Sequence, residues 1–150
     1  MNCPYWKTKV LNHFYGRHTQ IKNQSKIMAH SKGFLKLAAD AKTRIKEISV
    51  DQLSELDQSQ KPVIIDVREE SEWNAGHVEG AIHLSRGVIE QKIEVAIADP
   101  DTPIVCYCGG GNRSALVADS LQKIGYTNVF SLEGGFGAWK KADLPTTKPE

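Results

Sequence analysis

The stretch CYCGGGNRS, residues 106–114, holds the side chains best suited to covalent chemistry. Cys108 is followed directly by three glycines, and Arg113 comes five residues after it. The apolar run PIVCYC before the glycines predicts a strand that ends at Cys108. Glycines can take backbone conformations closed to other residues, so a turn here could point successive N–H groups inward and bind an anion beside a helix N-terminus. The three glycines are Gly109, Gly110 and Gly111.

The two cysteines of this stretch are predicted to differ in reactivity. Inward N–H groups and the cation of Arg113 would favour the Cys108 thiolate over the thiol, lower its pKa and make it a nucleophile. Cys106 lies inside the apolar run, so it is expected to be a buried, inert thiol. Two cysteines alone are weak evidence for a metal, and no His or Cys cluster has zinc-site spacing, so no metal is predicted.

The elements that must position these residues alternate along the chain. A capping box at Ser49 and Gln52 predicts a short helix from residue 50, before the first strand. Strands are then expected at 62–67, 81–85, 103–108 and 128–132, and helices at 69–75, 88–97, 114–125 and 134–142. Such alternation predicts an α/β fold, a parallel sheet with helices on both faces. Ligands bind such sheets at the carboxyl ends of the strands, where the glycine turn would lie.

The N-terminal part differs from the rest in charge and pattern. Residues 1–32 hold six Lys or Arg and no Asp or Glu, and they are predicted to be a disordered basic extension. Met28 is predicted to be the natural start of the protein. Residues 33–47 are predicted to form an amphipathic helix that packs on the main domain or on a second copy, so a monomer or homodimer is expected. The pattern rests on the apolar residues Phe34, Leu37, Ala38, Ala41, Ile45 and, just beyond the helix, Ile48.

Composition excludes several functional classes. The chain has 150 residues with 40% hydrophobic and 25% charged residues, as in ordinary globular proteins. Residues 33–150 carry 13 basic and 18 acidic residues, a net charge of −5, which argues against a nucleic-acid partner. No apolar run approaches the ~18 residues of a membrane helix, so no membrane partner is expected. Three cysteines do not make a disulfide framework, so a reducing, cytoplasmic location is predicted.

Three motifs resemble the single-domain rhodaneses, which are sulfurtransferases. They are IDVREESEWNAGHVEGAIHLSRGVIE at 65–90, CGGGNRSALVADSLQKIGYTNV at 108–129 and LEGGFGAW at 132–139. The resemblance covers about residues 48–145, with the motifs in the family's order. It implies a rhodanese-like domain over residues 48–148, with an open parallel sheet of about five strands and helices on both faces.

The resemblance also implies site roles. Cys108 would accept a sulfane sulfur from a small anionic donor such as thiosulfate and become a persulfide. A thiol or cyanide, or a thiol-bearing protein, would then take the sulfur, and no cofactor is required. Gly134, Gly135 and Trp139 match a structural closing helix. The loop implied to bind the persulfide comprises Gly109, Gly110, Gly111, Asn112, Arg113 and Ser114.

Other polar residues are candidates for substrate binding or structural support. Asp66 and Arg68 end the predicted strand at 62–67, on the edge where the loop should lie. Asp66 is expected to cap nearby N–H groups and to pair with Arg68, although Arg68 could instead attract an anionic donor. Arg86 follows the strand at 81–85 and could also face the site. His77 is expected to fix a turn rather than to act as an acid or base.

Two alternatives to a small-molecule sulfurtransferase remain open. A persulfide carrier or binding module would use the same residues with a protein partner. A phosphatase-like or arsenate-handling enzyme would use the same nucleophile. Against the second, Cys108 to Arg113 spans six residues, as in the sulfurtransferases that the chain resembles, whereas related dual-specificity phosphatases have seven.

Overall fold

The computed structural model describes residues 30–150. The prediction of a disordered extension lies outside these residues except at its last positions, and so does the prediction about Met28. Six α-helices are described: α1 (Lys32–Lys42), α2 (Val50–Ser54), α3 (Glu70–Ala75), α4 (Ile89–Ala96), α5 (Asn112–Ile124) and α6 (Gly135–Lys141). The strands are β1 (Lys46–Ile48), β2 (Val63–Asp66), β3 (His77–Val78), β4 (Ile82–His83), β5 (Ile104–Tyr107), β6 (Val129–Leu132) and β7 (Thr146–Thr147). A 3-10 turn covers Gln58–Gln60.

Five strands form one parallel sheet in the order β1-β6-β5-β2-β4. The predicted α/β fold is therefore confirmed, with β5 at the centre of the sheet. Crossing between non-adjacent positions requires a connection over a face of the sheet, which the helices provide. β3 and β7 make a separate antiparallel pair.

The side chains of β5 alternate between two apolar clusters, one on each face of the sheet. Ile104 and Cys106 join a cluster with residues of α4 and α5. Val105 and Tyr107 join a second cluster with residues of α2 and α6. All four side chains are buried because helices cover both faces, which explains why the strand is apolar at every position.

The first described helix is shorter than predicted. The predicted helix covered residues 33–47, but α1 ends at Lys42. Residues 46–48 form edge strand β1 instead. The prediction of a helix through residue 47 is wrong because β1 pairs with β6 and thereby satisfies its backbone groups. Ile45 and Ile48 still pack against apolar clusters, so their spacing could not distinguish the two outcomes.

The buried face of α1 is also narrower than predicted. Ala38 and Ala41 are buried, but Leu37 is 53% exposed. Two small residues allow α1 to lie close to α5. Just beyond α1, Arg44 donates two hydrogen bonds to Asp119 of α5, at 3.1 and 2.9 Å. This pair fixes the segment that leads into β1.

None of the helices within residues 30–150 has the length and apolar content needed to cross a bilayer.

Candidate active site

The turn that contains Cys108 lies at the carboxyl end of the central strand. β5 ends at Tyr107, and α5 already begins at Asn112, two residues earlier than predicted. Only four residues therefore connect strand to helix. Of the three glycines in the turn, Gly111 alone has a left-handed backbone, with φ of +101°. Gly109 and Gly110 do not adopt it. The prediction that these glycines take backbone conformations closed to other residues is therefore met by Gly111 alone, which directs the chain into α5.

The sulfur of Cys108 is surrounded by hydrogen-bond donors. The side chain is 2% exposed. The N–H of Gly111 donates to Sγ at 3.1 Å, and the Ser114 hydroxyl lies 3.6 Å from it. Burial by itself would raise the pKa of Cys108, but the Ser114 hydroxyl and the N–H groups of Ser114, Gly110 and Gly111 outweigh it and lower the pKa below the ordinary thiol value. The arrangement therefore favours a thiolate.

Cys106 has the opposite environment. It is 0% exposed within β5, and burial together with the nearby Cys108 raises its pKa to about 12. Its side chain packs among the apolar residues of the α4 and α5 face. No set of three or more potential metal-ligating side chains lies together in the described part of the chain.

Arg113 is held beside the turn by a carboxylate that the sequence analysis did not single out. Its Nη1 and Nη2 donate to the two carboxylate oxygens of Glu72 in α3, at 2.7 and 2.9 Å. This pairing, above all, raises the pKa of Arg113, and Cys108 adds to the effect. It lowers the pKa of Glu72. Arg113 is thus a permanent cation near the sulfur, oriented from the neighbouring helix.

The N-terminus of α6 packs directly on the backbone of the turn. The N–H of Phe136 donates to the Cys108 carbonyl at 2.7 Å, and that of Gly137 donates to the Gly109 carbonyl at 3.1 Å. A Cβ at Gly135 would overlap the Cys108 carbonyl oxygen, and this residue has φ of +53°. The glycines of the third motif therefore position the turn itself, in addition to beginning the last helix.

Asp66 and Arg68 form a buried pair on the other side of the same edge. Nη2 of Arg68 lies 2.6 Å from Oδ2 of Asp66 and also donates to the Gly76 carbonyl at 2.7 Å. Oδ2 also accepts a hydrogen bond from the Tyr107 hydroxyl at 2.6 Å, and that hydroxyl accepts from the N–H of Val78 at 3.0 Å. Asp66 is thus fully used in joining β2, β3 and β5.

The remaining predicted residues take less central positions. Arg86 is half-buried after β4, and its N–H donates to the Val67 carbonyl at 3.0 Å. Asn112 is half-buried at the start of α5. His77 lies in β3 rather than in a simple turn, with its ring stacked on Trp73 and its Nδ1 3.1 Å from the Trp73 carbonyl. These contacts of His77 are structural.

A cavity of about 580 Å³ opens beside the turn. Phe136, whose N–H holds the Cys108 carbonyl, lines it, and so does Glu72, which holds Arg113. The cavity is therefore lined in part by residues that hold the turn and Arg113, although Cys108 itself is not part of the lining.

The lining of this cavity has surplus positive charge. Arg68 contributes to the lining but is neutralised by Asp66. Lys140 and Lys148 also line it, and neither makes an ion pair within residues 30–150. Lys140 lies over the Phe136 ring, 5.1 Å from its centroid. A cavity with two free ammonium groups favours an anionic molecule.

Two residues of the site, Glu72 and Ser131, were not predicted from the sequence, and a third, Gly135, was predicted only as part of the last helix. Glu72 is one of three glutamates close together after β2, and no sequence signal selects it from Glu69 and Glu70. Gly135 was predicted to be structural, as part of the closing helix. Ser131 lies within an apolar strand, where its hydroxyl is 2.8 Å from that of Ser114. A polar residue inside the strand VFSL is the one signal that could have pointed to it.

Taken together, the geometry provides a buried thiol, N–H and hydroxyl donors that favour its ionised form, and the guanidinium of Arg113 nearby. Such a ring stabilises negative charge on the sulfur or on an atom bonded to it. A thiolate in this setting can attack an electrophilic sulfur or phosphorus centre.

Comparisons with known proteins agree with this architecture. The sequence model of the rhodanese-like domain matches residues 49–142. A thiosulfate sulfurtransferase GlpE of Haemophilus influenzae is 40% identical over 100 residues, which cover 67% of this chain and 92% of that protein.

Solved structures extend the similarity to the fold. A Rhodopseudomonas palustris protein of unknown function, described as a possible tyrosine phosphatase, superposes with a TM-score of 0.70 and 30% identity, covering 81% of this chain and 99% of that one. The homodimeric polysulfide-sulfur transferase of Wolinella succinogenes has a TM-score of 0.65 and 26% identity, covering 79% and 89%.

Proposed function

The chain belongs to the rhodanese-like domain family, and we propose that it is a sulfurtransferase that carries a sulfane sulfur on Cys108 as a persulfide. The observation that carries this proposal is the setting of the buried Cys108 sulfur, which accepts the Gly111 N–H at 3.1 Å and lies 3.6 Å from the Ser114 hydroxyl. These donors lower the pKa of Cys108 despite its burial. The similarity to thiosulfate sulfurtransferases and to a polysulfide-sulfur transferase supports the same reaction class.

The proposed reaction has two displacement steps. The Cys108 thiolate attacks the outer sulfur of thiosulfate, the sulfur–sulfur bond of the donor breaks, and sulfite leaves with the bonding electron pair. A persulfide anion remains on Cys108. Cyanide or a thiolate then attacks its outer sulfur, which leaves as thiocyanate or as a new persulfide, and the Cys108 thiolate is regenerated.

The residues of the turn would act by stabilising anions. The N–H groups of Gly110, Gly111 and Ser114 and the Ser114 hydroxyl offer hydrogen bonds to the charged sulfur in the thiolate and in the persulfide. Arg113, kept in place by Glu72, adds a guanidinium beside them, whose positive charge the Glu72 carboxylate offsets in part. Donor and product are both anions, so the same charge would assist binding and would be screened by salt.

The cavity beside the turn supports an anionic substrate. Its free ammonium groups, those of Lys140 and Lys148, would attract thiosulfate, mercaptopyruvate or a carboxylate-bearing thiol toward the sulfur. A volume of about 580 Å³ is within the usual size range of small-molecule sites, about 300–1,000 Å³.

The decisive experiment is thiocyanate formation from thiosulfate and cyanide. Wild-type protein is expected to turn over, Cys108→Ser to be inactive, and Cys106→Ser to retain activity because Cys106 is packed in the core. After thiosulfate alone, Cys108 should gain the mass of one sulfur atom. Unchanged turnover in Cys108→Ser would refute the proposal.

Two arms of the same experiment address the alternatives. The R. palustris neighbour described as a possible tyrosine phosphatase favours testing an aryl phosphate, and hydrolysis faster than sulfur transfer would favour a phosphatase. Persulfide formation on Cys108 without turnover of small acceptors, combined with transfer to a thiol-bearing protein, would favour a carrier. Steady-state kinetics with thiosulfate and mercaptopyruvate would identify the preferred donor.

A further inference from the structure

A pair of buried hydroxyls lies behind the sulfur of Cys108. Ser114 and Ser131 are both 0% exposed, and their Oγ atoms are 2.8 Å apart. Ser114 Oγ is in turn 3.6 Å from Sγ of Cys108. Ser131 belongs to β6 and is paired in register with Cys106 of β5, so it sits on a neighbouring strand of the central sheet. A hydroxyl at this depth is costly unless it is hydrogen-bonded.

The charge on the sulfur determines the direction of these hydrogen bonds. A thiolate can only accept hydrogen bonds, so the Ser114 hydroxyl must be the donor in its hydrogen bond with Sγ. The Ser114 oxygen is then left as an acceptor, and the Ser131 hydroxyl is the group that can donate to it. Among the described residues, Ser114 is the hydrogen-bonding partner of the Ser131 hydroxyl. The Ser131 hydroxyl therefore donates to the Ser114 oxygen, and the Ser114 hydroxyl donates to Sγ.

We propose that Ser131 is a positioning residue, which holds the Ser114 hydroxyl with its proton directed at the sulfur of Cys108. The inference rests on Cys108 being the nucleophile of the proposed function. Ser131 touches neither substrate nor the reacting sulfur and acts through Ser114 alone. In a dry interior, consecutive hydrogen bonds polarise one another, so a donor behind Ser114 strengthens the bond that Ser114 makes.

Other groups near the sulfur are independent of this chain of hydroxyls. The charged and titratable groups that face Cys108 within residues 30–150 are Arg113 of α5, with Glu72 of α3 behind it, and Cys106 of β5. The N–H groups at the N-terminus of α6 donate to the carbonyls of Cys108 and Gly109. Replacing Ser131 removes none of these contacts, so a change in Cys108 can be traced to the hydroxyl.

The test measures how fast iodoacetamide alkylates Cys108 as a function of pH in the full chain. Mass analysis of the peptide containing residues 106 and 108 reports the reaction, and Cys106 is expected to stay unmodified because its raised pKa of about 12 keeps it protonated. Ser131→Ala should raise the midpoint of the profile by about 0.1–0.7 pH units, because cooperative polarisation strengthens a bond by about 10–30%.

Cys106→Ala is the matched control. It removes a similarly small, buried side chain from the partner position on the adjacent strand, so it should lower stability without removing a donor from Ser114. Its midpoint is expected to stay at the wild-type value, because Cys106, with a pKa of about 12, is uncharged while Cys108 titrates. A Ser131→Ala midpoint no higher than that of Cys106→Ala would overturn the inference.

A double-mutant cycle with Ser114→Ala separates a positioning role from a general one. Once the Ser114 hydroxyl is absent, Ser131→Ala should no longer shift the midpoint. Equal shifts in both backgrounds would contradict action through Ser114. Should Ser131→Ala fail to fold, Ser131→Cys has a similar volume and a weaker donor, and an unshifted midpoint in that variant would overturn the proposal.

The alkylation profile does not depend on sulfur transfer. A normal Ser131 effect in a protein that transfers no sulfur would disprove the proposed function and leave this inference standing. If the protein transfers sulfur but Ser131→Ala leaves the alkylation midpoint of Cys108 unchanged, the inference about Ser131 is wrong and the proposed function stands.

Discussion

Cys106 and Cys108 are separated by one residue, belong to the same apolar cluster and are both nearly inaccessible to solvent. Burial raises the pKa of Cys106 to about 12, whereas the pKa of Cys108 is lowered. The difference arises where β5 ends. Within the strand, N–H groups are used in pairing with β2 and β6, while beyond it the chain turns around the sulfur and directs its N–H groups inward.

This contrast shows that burial does not determine whether a thiol is inert. A buried thiol with donors around it is stabilised as an anion, and one without them remains protonated. The contrast depends on the position of a few backbone groups, so substitutions that move the turn or remove a donor should weaken it.

The largest effect is expected from Gly135→Ala. The new Cβ would overlap the Cys108 carbonyl, and φ of +53° disfavours any side chain. Steric strain and the left-handed backbone together should lower stability by about 2–5 kcal/mol. A turn displaced by about 1 Å should reduce sulfur transfer by roughly 100-fold. Thermal unfolding and thiocyanate formation measure the two effects.

Gly137→Ala is the control for this substitution. Its Cβ would lie 3.4 Å from the Gly109 carbonyl oxygen, at an ordinary helical backbone position. A change in unfolding temperature much smaller than that of Gly135→Ala is expected. Equal losses in the two variants would show that α6 does not position the turn through Gly135.

A second prediction concerns pH: Ser114→Ala should make the pKa of Cys108 more similar to that of Cys106. Ser114→Ala removes the hydroxyl donor, so the thiolate is less favoured, the pKa of Cys108 rises, and the alkylation profile moves to higher pH. Loss of a hydrogen bond to a charged group should shift the midpoint by about 1–2 pH units. Iodoacetamide kinetics from neutral to alkaline pH measure the shift.

Ser120→Ala, on the same helix but outside the site, controls for loss of a hydroxyl in α5. Its profile should coincide with that of the wild type. A Ser114→Ala midpoint that does not move would mean that the backbone donors alone separate Cys108 from Cys106.

The smallest effect is expected for Lys140→Gln, which alters access to the thiolate and leaves the thiolate itself unchanged. Loss of one exposed charge lining the cavity should raise KM for thiosulfate by roughly two- to five-fold, with kcat unchanged, and the effect should shrink at high salt. Lys141→Gln removes the adjacent charge in α6 but not one that lines the cavity. Identical KM values for the two variants would exclude a specific role for Lys140.

Much of this architecture could be predicted from local patterns. The fully apolar run before Cys108 is required by a central strand covered on both faces, and the alternation of strands and helices specifies a parallel sheet. The prediction was wrong where the same spacing of apolar residues fits both a helix and a strand. Ile45 and Ile48 pack against the core from edge strand β1, although their spacing also fits a helix.

The sequence by itself determined the strand–turn–helix unit around Cys108 and the contrast with Cys106, because both follow from neighbours within a few residues. Tertiary structure decided which distant groups complete the site. Glu72 reaches Arg113 from α3, Ser131 reaches Ser114 from β6, and Gly135 holds the turn from α6. These contacts depend on which strands lie side by side and how closely the helices approach, and hydrogen bonds act only at such short range.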